Sequence, residues 1–431
     1  MGRCIFIVLL ILNLRLQAQV NVDTVYRLEK IKRSTSFASL TLGLDMLFSG
    51  HGSYKLDNQT VDVAKRISPR INIGGTHFWG HADFYVSFPL GFTLGNKKTE
   101  PGDYRYLEGV ETGAKVYPWA MKPKRITPYV GISFQPMSFY GNSSSTDYEY
   151  GSSTFRKFVT PVHVGVTFTS KQFMFNGGLR YHKTSNIQYF TSPTSNAETS
   201  ISPVNFNFSV FRFIDTNKSL AVPKEIDQLN IKHYVLKKEN ALDAWYWAIG
   251  PSAALQLSKS RYFQKYLPYF YNDMNNSSLV PEVALGRYFS KPDINVNLSL
   301  RYMYWNRSAF DTNISMSRAS IALEGYKFLF DYHGFVPFVG PSIMYDRLSY
   351  KENQTHISQN KPAIGVVFGW DIRLSKTSTS LLRTNLRYAP NHNLPVKGEK
   401  VMYDHLEFNF IQYVKFFGRN NIYKKYTKNK G

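Results

Sequence analysis

Cysteine is almost missing. The 431 residues hold one, Cys4, beside the start of the chain. A disulfide framework and Cys/His metal chemistry therefore have no residues to draw on. Acidic residues are scarce too, 30 against 52 basic, for a formal charge of +22. Long apolar runs are also missing. Ile5–Leu12 is too short to cross a bilayer as a helix, so an ordinary helical membrane protein is not indicated. The charge raises nucleic acid as a partner, but neither a recognised binding fold nor one clustered basic face accompanies it. Nucleic acid is not expected. There is no Gly-rich phosphate loop or spaced metal-ligand motif, so no cofactor, no metal site and no enzymatic activity are expected.

Aromatic residues are plentiful, with 30 Tyr and 32 Phe. Their placement is regular. In Asp293–Trp305, Ile294, Val296, Leu298, Leu300, Tyr302 and Tyr304 alternate with Asn295, Asn297, Ser299, Arg301 and Met303. A strand has a period of two, so one face is apolar and the other polar. The same rhythm gives strands at Ser36–Phe48, Ser68–Phe78, Ala82–Leu94, Tyr106–Tyr117, Ile126–Tyr140, Phe158–Thr169, Phe173–His182 and Val204–Phe213. It restarts at Ala244–Leu257, Val280–Phe289, Ile294–Trp305, Ser317–Phe330, Phe335–Tyr345, Pro362–Leu374, Leu381–Tyr388 and Leu406–Phe416. Connections alternate short and long, among the long ones Arg307–Ser315 and Tyr350–Lys361. That asymmetry belongs to an up-and-down transmembrane β-barrel with tight periplasmic turns and longer external loops. The expected fold class is all-β and antiparallel, with about sixteen strands.

The chain divides accordingly. Residues 1–18 read as a signal peptide, with Arg3, an apolar core and a cleavage point near Ala18. Residues 19–35 read as a periplasmic lead-in, 36–214 as a first eight-stranded unit, and 215–243 as a charged periplasmic linker. Residues 244–417 form a second eight-stranded unit, and 418–431 a basic periplasmic tail.

Five short segments recur in the same order in both units. Gly113-Ala114-Lys115 answers Gly325-Tyr326-Lys327, and Tyr129-Val130-Gly131 answers Phe338-Val339-Gly340. Gly165–Phe168 answers Gly365–Phe368, Leu179–Tyr181 answers Leu386–Tyr388, and Phe206–Phe208 answers Phe408–Phe410. Shared order suggests an internal repeat. Two closures are open: two tandem barrels of eight strands, or one barrel of sixteen. The linker and the narrow bore implied by inward glycines favour two. Pairing of the first strand decides the matter.

Inward faces carry Asp45, Arg70, Asp83, Glu111, Lys115 and Arg180, then Arg301, Asp371, Arg373, Arg383, Arg387, Glu407 and Lys415. In narrow barrels these form a structural charge network; in a wide one they line an anion-favouring pore. His163 and His182 also face inward, more plausibly as hydrogen-bonded interior residues than as a metal or catalytic pair. The external segment after Leu257 holds Tyr262, Phe263, Tyr266, Tyr269, Phe270 and Tyr271. It reads as a membrane-surface aromatic belt or a surface-interaction loop.

The signal peptide, alternating strands, aromatic strand ends and turn asymmetry resemble small OmpA/OmpX-type outer-membrane β-barrel proteins of Gram-negative bacteria. The resemblance implies an integral outer-membrane location, with outer-membrane lipids, lipopolysaccharide and the assembly machinery as partners. A final strand with Phe408, Phe410, Val414 and Phe416 on one face resembles the signal that this machinery reads. The expected role is structural or surface-interacting, with a porin for small, anionic solutes as the alternative and a lipid-modifying enzyme behind both.

Overall fold

The computed structural model describes residues 38–419 apart from 51, 57–58, 64–65, 93, 95–103, 142–148, 151–153, 171, 184–186, 215–236, 238–239, 272–276, 332–334, 374–378 and 391. The expected signal peptide and lead-in, most of the expected linker and nearly all of the expected basic tail lie outside the described residues.

The first half contains β1 (Ala38–Ser49), β2 (Gly52–Leu56), β3 (Gln59–Val63), β4 (Arg66–His77), β5 (Ala82–Pro89), β6 (Tyr104–Glu108) and β7 (Glu111–Val116). It continues with β8 (Ile126–Gly141), β9 (Thr154–Val159), β10 (Val162–Thr169), β11 (Phe173–Tyr181), β12 (Ile187–Phe190), β13 (Asn196–Ser200) and β14 (Val204–Ile214). Strands β1, β4, β5, β7, β8, β10, β11 and β14 pair antiparallel in that order. The ring closes where β14 returns to β1, from Leu40↔Ile214 to Ser49↔Asn205.

The second half holds β15 (Ala244–Gln256), α1 (Arg261–Tyr266), α2 (Pro268–Tyr271), β16 (Ser277–Phe289), β17 (Ile294–Ala309), β18 (Thr312–Phe328) and β19 (Phe335–Glu352). Then come β20 (Thr355–Ile372), β21 (Ser380–Tyr388), β22 (Asn393–Val396), β23 (Glu399–Met402) and β24 (His405–Phe416). Strands β15 to β21 and β24 form a second closed barrel. The first strand thus pairs with Val204–Ile214 and not with the last strand. There are two tandem eight-stranded barrels.

The alternation that marks these strands in the sequence is physical. Along β17, Asn297 and Ser299 are at most 2% exposed, while Leu298 and Leu300 are about half exposed. Polar side chains fill a narrow bore, and apolar ones form the outer wall. Closing each ring leaves no sheet edge along the wall, a requirement for backbone placed in lipid. Gly340 shows how tightly neighbouring strands approach: a Cβ there would stand 1.6 Å from the Gly325 carbonyl oxygen.

Strand ends differ from the sequence reading in instructive ways. Arg307–Ser315 and Tyr350–Lys361, expected as long loops, are instead strand. Strands β17 and β18 pair out to Ala309↔Thr312, and β19 and β20 out to Glu352↔Thr355. Tight turns close them, with positive φ at Phe310 and Asn353. Beyond the apolar band both strand faces can be polar, so the period-two contrast fades there. In the first half, the expected strands Tyr106–Tyr117 and Phe158–Thr169 each break in two. Gly109 N–H bonds the Pro136 carbonyl at 2.7 Å, and Ser133 N–H bonds the Pro161 carbonyl at 2.9 Å. Parts of the expected loops His51–Thr60 and Thr184–Ser202 form an extra sheet, ordered β12-β13-β2-β3.

The barrels touch through their walls. Phe78 meets Phe335 at 5.2 Å and Phe84 meets Trp370 at 6.1 Å between ring centroids. Ala82 and Val86, on the outward face of β5, are buried. Away from this contact, Tyr150 N–H donates to the Phe310 carbonyl at 2.7 Å.

Candidate functional site

Charge in the ring strands is segregated. Every carboxylate of these strands lies on an inward face, and the bores hold the densest ionic contacts among the described residues. In the first barrel the centre is Glu111 on β7. It accepts from Arg70 (2.5 Å), Arg180 (3.0 Å) and the Tyr85 hydroxyl (3.0 Å). Arg180 also donates to Gln135 at 2.8 Å. Lys115 stands 3.9 Å from Asp83 and lies over the Tyr85 and Tyr129 rings, 5.0 Å from each. Asp45 accepts from Ser209 at 2.7 Å. Buried charges are tolerable only when paired in this way.

His163 joins the same cluster. Its Nε2 is 2.7 Å from Ser133 Oγ and 3.6 Å from Glu111 Oε1. Both partners meet one ring nitrogen, whereas a nucleophile–base–acid relay uses the two nitrogens separately. His182 lies apart and contacts Asn205 at 3.1 Å. Among the described residues, no group of three His, Cys, Asp or Glu side chains could hold a metal ion.

The second barrel has the larger network. Arg387 on β21 donates to Glu282 at 2.8 and 2.6 Å and to Glu324 at 2.5 and 3.2 Å. Asn409 and Gln412 donate to Glu282, each at 3.0 Å. Arg301 donates to Glu407 at 2.7 Å. Arg318 also binds Glu407, and Asp346 receives His392 at 2.9 Å. Arg383 holds Asp371 with two bonds, 2.7 and 3.0 Å, and lies against the Tyr246, Tyr326 and Phe338 rings. Arg373 sits just past β20, 3.9 Å from Asp331 and 4.0 Å from Asp371.

Lys415 requires a correction. It faces the outer wall, not the bore. Pairing of β24 shifts by one residue between Ile249↔Tyr413 and Ser252↔Asn409, and again on the β21 side. One extra residue in β24 reverses the facing of all that follows it. Val414 and Phe416 are accordingly buried, so the outward apolar set expected of Phe408, Phe410, Val414 and Phe416 does not exist.

The aromatic external segment also requires a correction. Tyr262, Phe263, Tyr269 and Phe270 are buried, Tyr271 is half-buried, and only Tyr266 is exposed. Helices α1 and α2 fold over the end of the second barrel away from the Ser290–Asp293 turn. Their rings pack with Trp305, Phe310, Met316, Leu348, Tyr350 and Tyr403 in one apolar cluster. The Tyr262 hydroxyl binds Glu352, which also accepts from Tyr350 at 2.7 Å and Lys397 at 3.1 Å. Rings so placed cannot serve as an exposed interaction patch. A short segment this rich in aromatics gains more by covering the barrel end than by standing in water.

Glu282, Arg318, Glu324, Asp346 and His392 were missed from the sequence. A signal existed for Glu282, which shares parity with the inward Gly286, and for Glu324, which lies two residues before buried Tyr326. Asp346 falls one residue past the expected strand end.

Closed antiparallel rings with polar bores and apolar walls define the transmembrane β-barrel class. No family model matches the chain, and no curated protein matches it. Among solved structures it is similar to Neisserial surface protein A (14% identity, 41% of this chain, 97% of that one, TM-score 0.30). It is also similar to Ail, the attachment invasion locus protein of Yersinia pestis (7% identity, 40% of this chain, 96% of that one, TM-score 0.26). OmpT, an outer membrane protein of Vibrio cholerae, matches at 9% identity over 90% of this chain and 100% of that one, TM-score 0.17. These likenesses concern fold alone. The expectation that the chain is not an enzyme is withdrawn: it rested on missing motifs alone, and a likeness of fold neither shows nor excludes catalysis.

Proposed function

We propose that the chain is an integral outer-membrane protein of a Gram-negative bacterium, with a structural or surface-interaction role carried on two plugged barrels. The observation that carries this reading is the bridge from Arg387 to Glu282 and Glu324. It joins three strands of the second ring across its bore, with all three side chains at most 2% exposed. A porin needs a continuous water path, and the same arginines that would attract anions are already paired with carboxylates. Outer-membrane lipids, lipopolysaccharide and the assembly machinery are the partners that this reading implies, after removal of a signal peptide near Ala18.

Internal duplication is part of the proposal. Four of the five recurring segments occupy the same strand of each ring with the same facing: Tyr129 and Phe338, Gly165 and Gly365, Arg180 and Arg387, and Asn207 and Asn409 all turn inward. The fifth does not, since Lys115 is buried and Lys327 exposed.

Planar-bilayer conductance tests the plugged reading. The full chain should give no large, stable steps. Regular anion-selective steps would replace it with the porin reading.

A further inference from the structure

We propose that the outer wall of the second barrel binds the phosphate of a phospholipid at its short-turn rim, through Arg287 with Lys415 beside it. The proposal rests on the membrane reading above.

Arg287 is exposed on the outward face of β16. Its guanidinium lies 5.6 Å from the Trp245 ring centroid and 5.1 Å from that of Phe289. No acidic side chain contacts it among the described residues. None could from the wall itself, because the carboxylates of the ring strands all turn inward. Lys415 reaches the same wall by the β24 bulge. Register places it opposite Trp247, and Arg287 opposite Trp245. Two cations thus flank two exposed tryptophans across three neighbouring strands. The Lys415 ammonium donates to Thr379 at 3.1 Å, and no carboxylate pairs with it among the described residues.

Depth selects the partner. Arg287 lies two residues above the end of β16 and Lys415 one residue above the end of β24. At about 3.3 Å per residue this is within about 7 Å of the rim. Tryptophan and arginine at that level sit among lipid headgroups. The planar guanidinium fork matches two phosphate oxygens, and its ring contacts hold it ready for them. Lipopolysaccharide phosphates would lie at the opposite rim, and a soluble anion would have to enter between the wall and its lipid. The fitting ligand is the phosphodiester of an inner-leaflet phospholipid.

The test uses the full chain in detergent, with phosphatidylglycerol as the probe and retained lipid counted by native mass spectrometry. Wild type should retain the lipid. R287Q should bind it about fivefold more weakly, as should K415Q, the loss expected for one basic residue at a membrane surface. R347Q, which removes an outward arginine near the other rim, should change nothing. Equal retention by wild type, R287Q and K415Q overturns the site but leaves the membrane reading intact. Failure of the wild type to insert into phosphatidylglycerol vesicles overturns both.

Discussion

Replacing Arg387 with methionine asks whether the second bore is dry. Arg387 makes four charge-assisted bonds to Glu282 and Glu324, at 2.5 to 3.2 Å. Without it, Glu282 keeps its bonds from Asn409 and Gln412, and Glu324 keeps Arg301 at 3.8 Å. Two carboxylates would then share too little positive charge in a space that excludes water. Removing one partner of a buried ion pair costs about 3–5 kcal/mol, mostly through the charge left behind. Had the bore been water-filled, screening would reduce the loss to about 0–1 kcal/mol. Urea unfolding of the vesicle-inserted protein, followed by tryptophan fluorescence, separates these cases. Arg387→Met should lower stability by about 3–5 kcal/mol, and adding Glu282→Gln and Glu324→Gln should restore much of it. A loss below about 1 kcal/mol for the single variant would refute the plugged bore.

Three further outcomes follow from the geometry. Phe270→Ala should loosen the cap by about 3–5 kcal/mol and speed external trypsin cleavage after Arg261 or Lys265; an unchanged cleavage rate would mean that the helices do not seal the barrel end. Gly340→Ala should prevent folding, seen as loss of the heat-modifiable band on gels, because its Cβ meets the Gly325 backbone, whereas Gly177→Ala, with nothing within 4 Å, should fold normally. Burial raises the Asp404 carboxyl above its ordinary range, partly offset by the Ser258 hydroxyl that donates to it. A raised folded value means that Asp404 adds stability below its unfolded value of about 3.9 and loses that contribution as pH rises through the folded one. Asp404→Asn removes that falling contribution, so the variant's Tm should gain on the wild type as pH rises above about 3.9; a difference between the two that does not change with pH would count against the buried carboxyl.

The ring strands were legible because lipid forces a contrast that water does not. Leu298 and Leu300 alternate with Asn297 and Ser299 wherever the wall is apolar, and that contrast fades beyond Tyr304, where β17 continues unannounced. Facing was legible for Arg70, Glu111 and Arg387, since parity carries along an unbroken strand. It failed at Lys415, where one inserted residue reverses the count, and composition alone does not mark such a bulge. The partners of each charge were not legible at all. Arg301 meets Glu407 from 106 positions away, through a register that only ring closure sets. The capping helices were hidden for another reason: an aromatic segment reads the same whether it lies on a membrane or fills the end of a barrel.

The meeting of β1 with β14 gives each cylinder its own seam. A chain with one seam becomes sealed in a single step, but this one must zip shut twice. Each half carries all the hydrogen-bonding partners its own circumference requires. Cut anywhere in the span between Ile214 and Ala244 and supplied as two polypeptides, the halves should still each be able to close.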